Sequence, residues 1–346
     1  MVGALCFIWG STWLVIKVSL EVVPPFFGAA LRFALAAAIL FGLARLNGVR
    51  PLRSLRGHAA LLVVGVGTGV SYGAVYWGEQ YITSGLSAVL FATHPLFVMI
   101  LAHAIIATEP LTARKALGGV LGFAGVVLIF ETDLQFTHPL GVTAALVTLL
   151  SPLTAATSNV CIKRWAHHIH PYNLTALPMG YAAVLLAAVA LATENVSAVS
   201  WTAGAVAAIV YLAIFGSVAA FVMLYTLLKH IPVSLLALVS YGFPVVAVLL
   251  GFAILGETLE PQALAGAAAI VAGVAVATRA PARPAAGVAL SLLALVTAVT
   301  LLAGAIVAPV RAQALEPRWT IDTAQSRLGL SGMFGGEKGK EVARRP

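Results

Sequence analysis

The chain of 346 residues is poor in charge and poorer still in cysteine. Only 9% of its residues are Asp, Glu, Lys or Arg, against roughly 25% in soluble domains, which excludes an ordinary soluble globular protein. Its two cysteines, Cys6 and Cys161, fall inside apolar runs, so neither a disulfide framework nor a thiolate metal motif is on offer. Acidic residues number 12, none near the middle of an apolar run. A membrane enzyme such as a lipid or prenyl transferase would want clustered carboxylates for a metal or a positioned acid and base, and these are missing. Strict alternation of apolar and polar residues is missing too, which excludes the strands of a membrane barrel.

What is present is apolar sequence: 61% hydrophobic residues with a mean hydropathy of +1.01. Runs of about 20 such residues recur from end to end, and in hydrocarbon a helix satisfies its own backbone hydrogen bonds. The reading is an all-α integral membrane protein. It has ten transmembrane helices, at 2–20, 26–45, 58–77, 84–107, 113–130, 139–162, 173–193, 201–228, 233–255 and 261–278, plus an extra C-terminal apolar helix at 285–308. The net charge of +8 sorts by loop: Arg45, Arg50, Arg53, Arg56, Arg114, Lys115, Lys163, Arg164, Lys229, Arg279 and Arg283 follow the even-numbered spans. The intervening loops carry Glu21, Glu79, Glu131, Asp133, Glu194, Glu257 and Glu260, and no Lys or Arg. By the positive-inside rule the N-terminus and the end of the tenth span lie in the cytoplasm. The basic charge therefore records orientation; the partner it implies is a lipid bilayer, not nucleic acid.

The chain also repeats itself. Tyr81-Ile82 through Pro95 align with His230-Ile231 through Pro244, pairing Ala88 with Ala237. Glu109 pairs with Glu257, Gly118 with Gly266, Gly125-Val126 with Gly273-Val274, Ile16-Lys17 with Ile162-Lys163, and Pro25 with Pro171. Two five-helix repeats follow, at 1–130 and 131–278. Five is odd, so the second half enters the membrane from the opposite side, an inverted arrangement that recurs in secondary transporters.

Span 1 reads Trp9-Gly10-Ser11-Thr12-Trp13 with Lys17 after it, followed by Pro24-Pro25 and Leu31-Arg32-Phe33. Each half closes with a mid-span proline, a Glu at the hairpin and a Gly-containing last span. With the ten spans and the duplication, this order resembles the EamA branch of the drug/metabolite transporter superfamily over residues 1–278. The resemblance implies a ten-helix exporter or permease of small metabolites, such as amino acids, with a central cavity between its halves and no cofactor. A sensor without transport is the other non-enzymatic reading, and the cytoplasmic loops are short for hosting a partner.

Candidate site residues follow from depth and helical spacing. Pro95 and Pro244 both sit about eleven residues into their spans, where each removes a backbone donor and frees a carbonyl that must face protein or a water-filled cavity. Tyr72 and Tyr76 share a helix face, as do their repeat mates Phe221 and Tyr225 and the pair Trp9 and Trp13. Their flat faces with polar tips suit aromatic or amphipathic solutes; Trp77, Tyr81, Trp165 and Trp201 read as interface anchors. Ser11, Thr93, Asn159 and Tyr241 add polar groups near the same depth. His94, beside the proline, is the titratable side chain nearest the midplane and the candidate for substrate or proton contact. Lys17 and Arg32 lie toward the outer face as outer-gate charges, snorkelling or pairing with Glu21 or Glu79. With no mid-span carboxylate, coupling to protons is absent, His-based, or replaced by exchange of a second solute. Glu109 and Glu257 read as ordering tight hairpins. His167-His168-x-His170 sits in a basic loop without a carboxylate or thiolate nearby and reads as solvated, so no metal is expected.

Residues 279–314 form a basic flank, an apolar stretch long enough to span, and the signal-like Ala312-Gln313-Ala314. Downstream, Trp319 through Gly329 is similar to the opening of periplasmic YceI-type lipid-binding barrels, too little to enclose a cavity. The tail at 315–346 ends rich in Gly, Lys and Arg and reads as disordered.

Overall fold

The computed structural model describes residues 1–130, 138–199, 201–250 and 261–279. The expected segment at 285–308, the tail, and Glu131, Asp133, Glu257 and Glu260 lie outside the described residues. Among the described residues there is no strand. Eight helices are long and apolar enough to cross a membrane: α1 (Val2–Ser19), α2 (Pro25–Leu46), α3 (Leu55–Gly78), α4 (Ser84–Ile105), α6 (Gly141–Ala166), α7 (Pro171–Thr193), α8 (Ala203–His230) and α10 (Pro261–Thr278). Two shorter apolar pieces lie between them, α5 (Ala113–Ile129) and α9 (233–250).

The helix starts are written in the local sequence. Pro25, Pro171 and Pro261 open α2, α7 and α10, where a missing N–H costs nothing. The side chains of Ser54, Thr83, Thr112 and Thr202 accept from the backbone N–H three residues on, capping α3, α4, α5 and α8.

Several helices are interrupted along their length. α4 breaks at Ala92–Thr93, and Pro95 falls in the first turn of the piece that restarts at His94. α9 runs as α-helix over Val233–Leu236, tightens to 3₁₀ over Ala237–Tyr241 and resumes at Gly242, two residues before Pro244. α8 carries a π-turn over Ile214–Ala219 and α6 another over Ile162–Ala166. Such turns release carbonyls from the helical ladder for side chains to use.

Packing is pairwise and tight. α2 lies along α7, α5 along α10, α3 against α6 and α7, α4 against α6, and α1 against α8 and α9. Between α5 and α10 the backbones touch: a Cβ added at Gly118 would sit 2.4 Å from the Gly273 carbonyl oxygen, and one at Gly125 would sit 2.5 Å from that of Gly266. Small residues permit this approach where lipid supplies no hydrophobic drive between helices.

Lysine side chains tie the ends. Lys17, at the end of α1, donates to the carbonyls of Glu79 and Ile82, between α3 and α4. Lys163, near the end of α6, donates to the carbonyls of Leu228 (2.6 Å) and Ile231 (3.0 Å), between α8 and α9. Lys17 therefore neither snorkels nor spends its ammonium on a carboxylate, because orphan carbonyls at a helix C-terminus are nearer and attract a cation. Charge-assisted bonds of this kind are worth about 2 kcal/mol. Lys17→Met and Lys163→Met are each expected to lower the unfolding free energy by about that amount in a detergent titration; an unchanged midpoint would make both contacts incidental.

Glu109 also differs from expectation. Its carboxylate leaves its own hairpin and accepts from the N–H groups of Val233 (2.9 Å) and Ser234 (3.0 Å) and from Ser234 Oγ (2.7 Å), capping α9. Glu194 does the same for α2, accepting from Phe26 N–H at 2.7 Å and Phe27 N–H at 2.9 Å. The exposed N–H groups of a helix start are the stronger partner for a carboxylate.

Candidate functional site

Helices α1, α3, α4, α6, α8 and α9 enclose a central cavity. Its apolar wall is built from two sets of packed rings. Trp9 packs edge-on against Phe221 (5.4 Å between centroids) and Phe243 (5.7 Å), Trp13 against Phe91 (5.6 Å), and Phe221 against Tyr225 (5.7 Å). Tyr72 joins the first set from α3, 6.3 Å from Phe221.

The polar side is built at the helix breaks. His94 stacks on Phe91 with the ring planes 8° apart. Asn159 Nδ2 lies 3.2 Å from His94 Nε2, and Ser240 Oγ lies 3.3 Å from His94 Nδ1. With the Asn159 amide so oriented, Nε2 accepts and Nδ1 carries the proton toward Ser240. α4, α6 and α9 thus meet at one imidazole. Ser71 and Ser151 hydroxyls lie 2.8 Å apart at the wall between α3 and α6.

The expected site residues divide accordingly. Trp9, Trp13, Tyr72, His94, Asn159, Phe221 and Tyr225 line the cavity. Ser11 instead bonds the Ile8 carbonyl and the Tyr211 hydroxyl, both at 2.7 Å. Thr93 Oγ1 donates back to the Leu90 carbonyl, and the Tyr241 hydroxyl donates to the Gly119 carbonyl, each at 2.7 Å. Tyr241 fills the groove that Gly122 leaves on α5, turning its ring away from the cavity. Tyr76 is 1% exposed and points at Arg32.

Arg32 departs furthest from its reading as a snorkelling or paired outer charge. It is 1% exposed. Its Nε donates to Ser217 Oγ (2.8 Å), Nη2 to the Gly216 carbonyl (3.0 Å) and Nη1 to Tyr76 Oη (3.4 Å), while Cζ lies 4.7 Å from the Tyr72 ring centre. The π-turn of α8 supplies the Gly216 carbonyl, which also accepts from Trp9 Nε1 at 3.2 Å. Acceptor oxygens and a ring face suit the planar donors of a guanidinium without any carboxylate. One buried cation thereby positions two walls of the cavity, Trp9 and Tyr72.

Sequence reasoning missed Phe91, Phe243, Ser71, Ser151 and Ser240, which also line the cavity. Ser240, next to Tyr241, carried a signal in its closeness to Pro244. Among the described residues no three His, Cys, Asp or Glu side chains gather as a metal site would require. His170 Nδ1 accepts from Tyr172 N–H and caps α7, and burial, with Lys229 nearby, holds its imidazole below the usual range.

The comparisons with known proteins point one way. The EamA-like transporter family matches residues 1–131 and 142–279. The chain is 32% identical over 262 residues to the uncharacterized inner membrane transporter YedA of Escherichia coli K12, covering 74% of this chain and 82% of that protein. It is 26% identical over 268 residues to the uncharacterized transporter YoaV of Bacillus subtilis, covering 77% and 91%. A protein of known crystal structure superposes with a TM-score of 0.69 at 23% identity, covering 80% of this chain and 95% of the other, which speaks for the fold. A multi-pass helical membrane protein with these relatives is a membrane transporter, and the chain belongs to the EamA-like transporter family.

Proposed function

We propose that the chain is a secondary permease that moves small metabolites across the inner membrane by alternating access, through two inverted five-helix halves that rock around the central cavity. The observation that carries this is the cavity itself: rings and small polar groups from α1, α3 and α4 of one half and α6, α8 and α9 of the other. Three reciprocal features support the inversion. Lys17 and Lys163, repeat mates, tie equivalent carbonyls at opposite ends of the bundle. Gly118 meets Gly273 while Gly125 meets Gly266, each contact the exchange of the other under the repeat. The helix pairs α3·α6 and α4·α6 are matched by α8·α1 and α9·α1. Lys and Arg in the loops after even-numbered spans favour a cytoplasmic N-terminus.

No Asp, Glu, Lys or Arg lines the cavity among the described residues. Its solutes are accordingly those with a flat apolar face and one or two hydrogen-bonding groups, and amino acids with apolar or aromatic side chains are the first to test. In proteoliposomes screened with amino acids, nucleosides and sugars, one class is expected to show saturable flux. Trp9→Ala and His94→Ala are expected to weaken that solute's apparent affinity about tenfold. Wild-type flux in both variants would remove the cavity from the transport path; solute binding without flux would favour a sensor.

A further inference from the structure

Glu79 follows α3 directly, at the end of the bundle away from Arg45–Arg56, and reads in sequence as a loop acid. In the structure it is 0% exposed, and neither carboxylate oxygen has a hydrogen-bond partner. The two other unpartnered buried polar atoms among the described residues are beside it. Ser87 Oγ, on α4, faces the carboxyl. Thr148 Oγ1, on α6, presses on Gly78 so closely that a Cβ there would lie 2.1 Å away. Four helices, α1 through Lys17, α3, α4 and α6, therefore bring together a small buried polar cluster whose hydrogen-bonding capacity is largely unspent. Buried polar atoms in that condition call for a further ligand.

The charges around the cluster decide which. Lys17, from α1, is the nearby cation, its ammonium engaged by the main-chain carbonyls of Glu79 and Ile82. Tyr76 is the titratable neighbour on α3, with Arg32 of α2 behind it. α4 and α6 present the hydroxyls of Ser87 and Thr148. A metal cation would have to sit against the lysine ammonium, whereas a proton neutralises the carboxyl and turns one oxygen into a donor for a hydroxyl. Burial opposes the charged form and pushes the carboxyl up to about 8, against a smaller pull from Lys17.

We propose that Glu79 is the proton-binding site of this carrier: its carboxylate takes a proton from water as that end of the bundle closes, and returns it when α4 and α6 part from α3. The proposal rests on the alternating-access reading, and it ties opening of that end to release of one proton per cycle.

Infrared spectra of the protein in lipid test this without transport. The wild type is expected to show the carbonyl stretch of a protonated carboxyl at about pH 7, fading with a midpoint of about 8. Glu79→Gln is expected to lack that band and Glu21→Gln, in an exposed loop, to keep it. In proteoliposomes, wild-type flux is expected to respond to an imposed pH gradient and Glu79→Gln flux to ignore it. A wild type without the band overturns the proposal, even if Glu79→Gln fails to fold, and so does a band or a gradient response that survives in Glu79→Gln. A band that behaves as expected in a protein that moves no solute leaves the proton site standing and removes the transport reading.

Discussion

Gly118→Val is expected to abolish recovery of monodisperse protein, and Gly118→Ala to lower stability by about 3 kcal/mol, at the upper end of overpacking penalties. The first atom added at this position meets backbone, 2.4 Å to the Gly273 oxygen and 2.7 Å to Ala277 N, and a Cβ that no rotamer can move, 2.7 Å to that of Ala277. Main chain cannot rotate aside as a side chain can, so α5 and α10 must separate along their whole contact. Gly180→Ala supplies the opposite sign. A Cβ there meets nothing within 4 Å, and replacing a helical glycine at an unobstructed site gains up to about 1 kcal/mol. Thermal unfolding in detergent with both variants side by side separates the two cases. Equal midpoints would mean that α5 and α10 do not pack through their glycines.

Replacing Arg32 is expected to be nearly as damaging, with lysine no better than methionine. Either change leaves the Ser217 hydroxyl, the Tyr76 hydroxyl and part of the Gly216 carbonyl buried without the donors that now reach them. Each orphaned group costs about 1–3 kcal/mol, so a loss of about 3 kcal/mol or more is expected for Arg32→Met. Lysine keeps the charge but replaces a planar fork by a compact, strongly hydrated ammonium, and forfeits the face-on contact with Tyr72. Since Gly216 also holds Trp9, the solute affinity of Arg32→Lys should fall together with its stability. A wild-type-like Arg32→Lys would mean that charge alone is what the site requires.

Much of the fold was legible because the bilayer imposes length. Apolar runs, loop charges and prolines at helix starts place the described helices to within a few residues, and residues that align within the sequence make similar contacts: Lys17 and Lys163 each donate to main-chain carbonyls, and Gly118 and Gly266 each meet a glycine backbone. Depth along a helix is also readable, which is why Trp9, Tyr72, His94 and Asn159 were singled out. Rotation about the helix axis is not. Tyr76 shares a face with Tyr72 to within the helical period, yet a small difference in azimuth sends its hydroxyl between helices to Arg32. The burial of Arg32 escapes the sequence for the same reason, since nearness to a span end says nothing about whether water lies on that side. Glu79 and Glu109 read as loop residues in sequence because the short turns carrying them fold back onto neighbouring helices, a tertiary event without a local pattern. The π-turn of α8 had no signal beyond Gly216-Ser217.

The caps made by Glu109 and Glu194 have an evolutionary consequence. Apart from Ser234 Oγ, their donors are peptide N–H groups, which every residue but proline provides. As far as the caps themselves are concerned, positions 26, 27 and 233 can therefore change to any residue but proline, whatever the packing of their side chains demands, while the acids opposite them stay fixed. A search for co-varying positions would be blind to both contacts, and would leave unmarked two of the ties that hold distant helices together.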